Sequence, residues 1–225
     1  MNIMSNQMAT SLKHDDQLNE NNCGYLELIS GPMYSGKTTA LLSRYKQFNF
    51  CNIDILTINH ADDSMRYSST QLSSHDKVMI PCIMSHSLTE IINLNKLPQQ
   101  PAVEGQITHE EFKKYKVILI NEIQFFDEEA LDWIKTAVDK YFKHIYVCGL
   151  DGDFQRKKFG NWLEILMPFC DNHIKLHSYC SNCKVKKAIF THRNTTETAQ
   201  KIIGSDCYIP VCRSCYIRLN PNNKN

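Results

Sequence analysis

The run Gly31-Pro32-Met33-Tyr34-Ser35-Gly36-Lys37-Thr38 satisfies the spacing G-x-x-x-x-G-K-[ST] in full. Such a loop cradles phosphate: successive backbone N–H groups curl round the anion, and Gly36 lets the chain approach it closely. The Lys37 ammonium neutralises the β- and γ-oxygens of ATP, and the Thr38 hydroxyl is a ligand for Mg²⁺. A second chemical feature closes the apolar run Val117-Ile118-Leu119-Ile120, which ends at Asn121-Glu122. Proteins with a phosphate loop usually place an acid at that strand end, where it faces the phosphates and holds the metal. Here an asparagine stands first; its amide oxygen accepts hydrogen bonds from a metal-bound water but adds no negative charge. Weaker metal affinity is the expectation. Glu122 is then the candidate general base for a hydroxyl nucleophile. Asp63, within Asp62-Asp63-Ser64-Met65-Arg66, is a further acid able to help with the metal.

The ten cysteines include two C-x-x-C pairs, Cys180/Cys183 and Cys212/Cys215. Each pair sets two thiolates at tetrahedral spacing on a tight turn, and two such turns complete a structural Zn²⁺ site. With cysteine at every position, no coordination site is left for water, so a catalytic zinc is not expected. The stretch between the pairs exceeds that of a compact zinc finger and reads as a sizeable excursion pinned at its base. The other cysteines (Cys23, Cys51, Cys82, Cys148, Cys170, Cys207) are scattered, several in apolar stretches. Buried thiols beside a metal site fit a reducing compartment better than a disulfide framework does, which points to the cytoplasm.

These residues need a scaffold, and the pattern supplies one. Tyr25-Leu26-Glu27-Leu28-Ile29 reads as a strand running straight into the phosphate loop, and Thr39 to Phe48 as the helix after it. Ile53 to Ile58, Val117 to Ile120 and His144 to Leu150 read as further strands, and Phe126 to Tyr141 as an amphipathic helix. Strands alternating with helices predict βαβ crossovers: an α/β fold with a mainly parallel sheet flanked by helices. Residues 23–177 form the expected ATP-binding core and residues 178–219 a small zinc-binding domain. Residues 1–22 are polar and without apolar period, hence a disordered arm, and 220–225 a flexible tail. Leu94 to Lys113, with Pro98-Gln99-Gln100-Pro101, reads as a surface excursion.

The formal net charge of +1 shows no overall basic excess of the kind that advertises nucleic-acid binding. No apolar run approaches bilayer-spanning length, and the N-terminus lacks a signal-peptide core, so neither membrane nor secretion is expected.

A phosphate loop does not name a substrate; neighbouring motifs narrow it. Asn121-Glu122-Ile123-Gln124-Phe125-Phe126 resembles the D-E-x-Q-F-F element of type II (cytosolic-type) thymidine kinases. Leu150-Asp151-Gly152-Asp153-Phe154-Gln155-Arg156-Lys157-Lys158-Phe159-Gly160 is similar to their L-D-G-x-F-Q-R-x-x-F-G segment, and Arg66-Tyr67-Ser68-Ser69 with His75-Asp76 to their R-Y-S-S…H-D stretch. Gly31-Pro32-Met33 also opens the loop as that family does. The likeness runs in order from about Tyr25 to Tyr216, with Asn121 and the longer Leu94–Lys113 segment as departures. It implies transfer of the ATP γ-phosphate to the thymidine 5′-hydroxyl, with Glu122 as base, Lys37 and Arg66 on the transferring group, and Asp63, Asn121 and Gln124 beside the phosphate loop. Met33, Phe125, Leu150 and Phe154 would wall the thymine pocket, whereas Phe126 and Phe159 are expected in the core. The excursion between the cysteine pairs would be a lasso closing on the nucleoside: Thr191, then Ala199-Gln200-Lys201-Ile202-Ile203, to Tyr208 at the sugar. A homotetramer inhibited by dTTP is implied too.

Two other readings remain open on the residues alone. One is a nucleic-acid-dependent ATPase gripping through its zinc unit and Lys184, Lys186 and Lys187. The other is a non-catalytic nucleotide sensor, suggested by Asn121.

Overall fold

The computed structural model describes residues 23–66, 70–73, 78–96, 105–197, 199–200 and 207–221, the side chains of 64–66 excepted. The expected arm at 1–22, the Tyr67-Ser68-Ser69 and His75-Asp76 motifs and the Pro98–Pro101 stretch lie outside these residues. In chain order the first half comprises β1 (Tyr25–Gly31), α1 (Lys37–Phe50), β2 (Ile55–His60), a 3₁₀ turn (Ala61–Arg66), β3 (Gln71–Ser73), β4 (Met79–Pro81), β5 (Ile83–Ser85), α2 (Leu88–Ile91) and α3 (His109–Lys114). There follow β6 (Val117–Asn121), a 3₁₀ turn (Ile123–Phe125), α4 (Glu128–Asp139), β7 (His144–Leu150), α5 (Trp162–Leu166) and β8 (Asn172–Lys175). The C-terminal unit adds β9 (Ser178–Tyr179), β10 (Lys187–Ala188), β11 (Phe190–Arg193), β12 (Tyr208–Val211) and α6 (Arg213–Leu219).

Six strands in the order β5-β2-β6-β7-β1-β8 form the central sheet, and every pairing is parallel. Alternate side chains of each strand serve opposite faces. Leu26, Leu28, Ile118, Ile120, Ile145 and Val147 meet α4 residues such as Trp133 and Ile134, while Ile29, Val117, Leu119 and Cys148 meet Leu41 and Leu42 of α1. The near-continuous apolar runs follow from this burial on both faces. Glu27 interrupts one run and is nonetheless buried; it is paired with Arg44 at 3.0 Å and accepts from Asn172 Nδ2 at 2.9 Å.

The sequence reading finds four of these sheet strands and misses β5 and β8. Both are short edge strands with little periodicity to detect. The helix expected over Phe126–Tyr141 begins later, at Glu128, because the Asp127 side chain accepts from the Ala130 N–H at 3.0 Å and caps it there. The Leu94–Lys113 segment needs correction as a surface excursion. Its C-terminal part enters α3, started by a capping box between Thr108 and Glu111, and leads to Phe112, which is fully buried. The Phe112 ring meets Trp133 and Tyr141 edge-on at 5.7 and 5.5 Å, with Lys143 Nζ 4.6 Å above it. That ammonium donates to the carbonyls of Phe112 and Tyr115 at 2.8 and 2.6 Å, satisfying the end of α3, and burial holds its pKa down to about 8. All ten cysteines are free thiols. Among the described residues no helix is long and apolar enough to cross a membrane.

Phe112→Ala removes the centre of this cluster and is expected to cost about 3–5 kcal/mol of stability. Urea unfolding reads it as a lower midpoint; an unchanged midpoint would return the segment to the surface.

Candidate active site and metal centre

The phosphate loop joins the end of β1 to the start of α1, where free N–H groups and the helix dipole favour an anion. Its glycines have different reasons. Gly36 takes φ 84° with open space around a hypothetical Cβ, so the left-handed backbone alone demands glycine. At Gly31 a Cβ would come within 2.6 Å of the Leu176 carbonyl oxygen. Lys37 is buried and its Nζ donates to the Pro32 carbonyl at 2.9 Å. Burial pulls its pKa below the usual lysine value, and the carboxylates of Glu122 and Asp151 oppose that shift.

Asn121 lies in register with Asn59 of β2 and joins a chain of polar groups. Its Oδ1 accepts from Cys148 Sγ at 2.9 Å and Thr38 Oγ1 at 3.5 Å, while its Nδ2 donates to Asn59 Oδ1 at 2.9 Å. Asn59 Nδ2 donates in turn to Asp63 Oδ2 at 3.1 Å. Burial pushes the Cys148 thiol up to about 12, so it stays a protonated donor. An amide at 121 serves both neighbours at once, which a carboxylate, an acceptor only, does not. The acid of this chain is Asp63, buried and facing the cavity.

Glu122 holds a left-handed backbone, φ 55° and ψ 42°, uncommon for a residue with a side chain and a recurrent feature of functional sites. Gln124 orients it: Nε2 donates to Glu122 Oε2, and Oε1 accepts from the Leu150 N–H at 3.0 Å. Gln124 thus sits behind Glu122 instead of on the wall facing the phosphate loop.

These groups open on one cavity of about 970 Å³, its mouth included. Met33, Tyr34, Ser35, Gly36, Lys37, Thr38, Asp63 and Glu122 line one part. Phe125, Leu150, Phe154 and Phe159 form an apolar shelf, and Thr191, Gln200 and Tyr208 reach in from the C-terminal unit. Phe159, expected in the core, is instead half-buried against Phe125, the two rings edge-on at 5.4 Å. Phe126 does lie in the core. Lys201, Ile202, Ile203 and the Arg66 side chain lie outside the described residues.

Sequence reasoning places Arg193 in the lasso stretch but gives it no role of its own; it organises the described part of the excursion. Its buried guanidinium donates to the carbonyls of Glu197 at 2.9 Å, Ala199, and Gln200 at 2.9 Å, and to the Tyr208 hydroxyl. It also stacks 3.6 Å above the Phe154 ring. Ala199 thus contributes its carbonyl to Arg193. Gln200 Nε2 donates to Asp153 Oδ2 at 2.9 Å, and the Met33 N–H to Thr191 Oγ1 at 3.0 Å, so the excursion is tied to the core at its start and again at Gln200. The one clue in the sequence was a charged residue in an otherwise strand-like run.

Cys180, Cys183, Cys212 and Cys215 bring their four sulfurs within 4.8 Å of one another. Burial alone would raise the Cys180 thiol, but N–H groups from Cys183, Cys212 and Asn182 bring it down to about 6. Burial pushes Cys215 up to about 11. Such a mixed set becomes four thiolates only around a cation, and the donor set fits tetrahedral zinc. The cluster grips the core through Tyr216, whose hydroxyl donates to the Phe154 carbonyl at 2.7 Å. The Arg156 guanidinium stacks on Tyr216 at 4.6 Å and on Phe190 at 5.5 Å.

Residues 24–216 match the family model described as thymidine kinase. A thymidine kinase of Oryza sativa subsp. japonica is 36% identical over 195 residues, covering 86% of this chain and 66% of the rice protein. One of Mesomycoplasma hyopneumoniae (strain 7448) is 36% identical over 194 residues, covering 86% of this chain and 95% of that protein. A cytosolic thymidine kinase of Gallus gallus is 34% identical over 199 residues, 88% of this chain and 79% of the chicken protein.

The four-thiol cluster predicts about one zinc per chain by elemental analysis. Cys183→Ser should lower zinc content and melting temperature together; wild-type zinc content would remove Cys183 from the ligand set.

Proposed function

The chain belongs to the thymidine kinase family, and from that premise we propose how its residues divide the work of phosphorylating thymidine. ATP is the phosphate donor and the 5′-hydroxyl of thymidine the acceptor, giving dTMP. The observation that carries the reading is one cavity in which Glu122 and the Lys37 loop share walls with the apolar shelf of Phe125, Leu150 and Phe154. A flat, methylated pyrimidine suits that shelf, with Met33 completing it.

Glu122 accepts the proton of the 5′-hydroxyl as that oxygen attacks the γ-phosphorus. Lys37 and the N–H groups of the loop hold the β- and γ-oxygens, and Arg66 supplies further positive charge. Thr38 and Asp63 offer the oxygen donors that suit Mg²⁺, with Asp63 the charged member, and Asn121 would accept from a metal-bound water in place of the Thr38 hydroxyl. When bound, Mg²⁺ neutralises charge on the β- and γ-phosphates. Asn59 links Asn121 to the Asp63 carboxylate by hydrogen bonds.

Residues 23–177 act as the ATP-binding core, and 178–219, with a structural Zn²⁺ at the four cysteines, as the base of the lasso. Thr191, Gln200 and Tyr208 line the nucleoside end, and the lasso, including Lys201, Ile202 and Ile203, closes on the substrate and excludes water. Support for an anchor rather than a nucleic-acid grip comes from the Tyr216 and Arg156 contacts with the core. The family assignment disfavours both the zinc-ribbon ATPase and the sensor. Cytoplasmic location, homotetramer assembly and dTTP feedback complete the proposal; light scattering with dTTP titration of the rate tests the last two.

Glu122→Gln is expected to lower kcat more than about tenfold with little change in ATP binding. Turnover at the wild-type rate would remove Glu122 from the role of base.

A further inference from the structure

Away from the phosphate loop and the four cysteines, His60, Asp62 and His86 bring three ligand atoms within 4.8 Å of one another. The sheet dictates the meeting. β2 and β5 are adjacent and parallel with His60 opposite Ser85, so His60 and His86 emerge at the same edge. Asp62, in the turn after β2, stands between them. Its Oδ2 is 3.7 Å from Nδ1 of His60, and its Oδ1 is 3.7 Å from Nδ1 of His86. The two imidazoles meet edge to face at 5.4 Å, and Phe126 holds His60 edge-on at 4.7 Å.

A separation of 3.7 Å is too long for a hydrogen bond. Moreover, His60 Nδ1 accepts the Asp62 backbone N–H at 3.2 Å, so this nitrogen carries a lone pair rather than a proton, and a metal ion would take that lone pair in place of the N–H. Two electron-rich atoms at that spacing describe one edge of a coordination polyhedron. Metal bonds of about 2.0–2.2 Å put neighbouring ligands about 3.0–3.5 Å apart, and a shift of a few tenths of an ångström closes the gap. His60 is buried and fixed, whereas His86 is exposed and able to swing in.

We propose that His60, Asp62 and His86 form a second metal site, selective for divalent transition ions of the Zn²⁺, Co²⁺ and Ni²⁺ class. Imidazole ligands favour these ions over Mg²⁺ and Ca²⁺, and two histidines with one carboxylate leave positions open for water. The site is coupled to the cavity. Asp63, the next residue, is the buried carboxylate facing the phosphate loop, and Phe125 of the shelf lies 5.7 Å from the His60 ring. An ion gripping Asp62 fixes the pose of the Ala61–Arg66 turn and with it Asp63. Occupancy therefore alters the kinase rate, a consequence that rests on the reading of the cavity given above.

The test uses the full chain carrying one zinc per chain, held at the four cysteines and freed of excess metal, with His86→Ala and Asp62→Asn as variants. Calorimetric titration with Ni²⁺ in excess Mg²⁺ should find about one further equivalent in the wild type, bound at least about tenfold more weakly in each variant. Equal affinity in all three proteins overturns the site. Titrating Ni²⁺ into the thymidine phosphorylation assay at fixed MgATP should change the wild-type rate and leave that of His86→Ala unmoved. Equal responses there overturn the coupling. Without Ni²⁺, His86→Ala should turn over at the wild-type rate, and that measurement keeps a failure of the metal site separate from a failure of the kinase reading.

Discussion

Parallel strand pairing in the central sheet governs this molecule, because it assigns the carboxyl ends of all six of its strands to the same edge. Gly31 stands opposite Leu150 and Asn59 opposite Asn121. The phosphate loop, the Glu122 turn and the apolar shelf thus emerge side by side from strands far apart in sequence. A slip of one residue in any pair would send its side chains to the other face and move its loop out of reach. The two-sided apolar core resists such a slip, since Leu26, Leu28, Ile118 and Ile120 fill one layer while Ile29, Val117 and Leu119 fill the other.

That geometry gives the asparagine at position 121 a physical account. A buried position flanked by an acceptor on one side and donors on the other suits an amide, and the Asn59 relay carries the connection to a carboxylate elsewhere on the same edge. The carboxylates on the cavity wall are thus Asp63 and Glu122, and position 121 stays neutral. Burial makes a charge expensive unless it is paired or used, and this arrangement limits how many stand together.

The C-terminal unit is fastened to the core by guanidinium and aromatic planes. Arg156 reaches from the core to Tyr216 and Phe190, and Arg193 reaches back to Phe154. Planar cations of this kind stack and donate in fixed directions at once, which lysine does not. The four-cysteine cluster closes the base of the excursion, while Arg193 shapes its near side through main-chain carbonyls. Ordering a segment by its carbonyls leaves its side chains free to vary.

Local chemistry was legible from the residues alone. The phosphate loop, the strand before it, the helix after it, Glu122 at a strand end and the doubled cysteine pairs each depend on neighbours a few positions apart. Spacing along the chain therefore determined them. What depended on distant partners was decided only by the tertiary structure. Gln124 moved from the phosphates to the back of Glu122, and Phe159 moved from core to cavity. Phe112 turned out to be buried within a charged run. Arg193 gained its role from carbonyls and rings that no spacing rule relates to it, and His60 and His86 met only because β2 and β5 lie in parallel register. Hydrogen-bond direction and burial are properties of the assembled sheet, and no single stretch of sequence contains them.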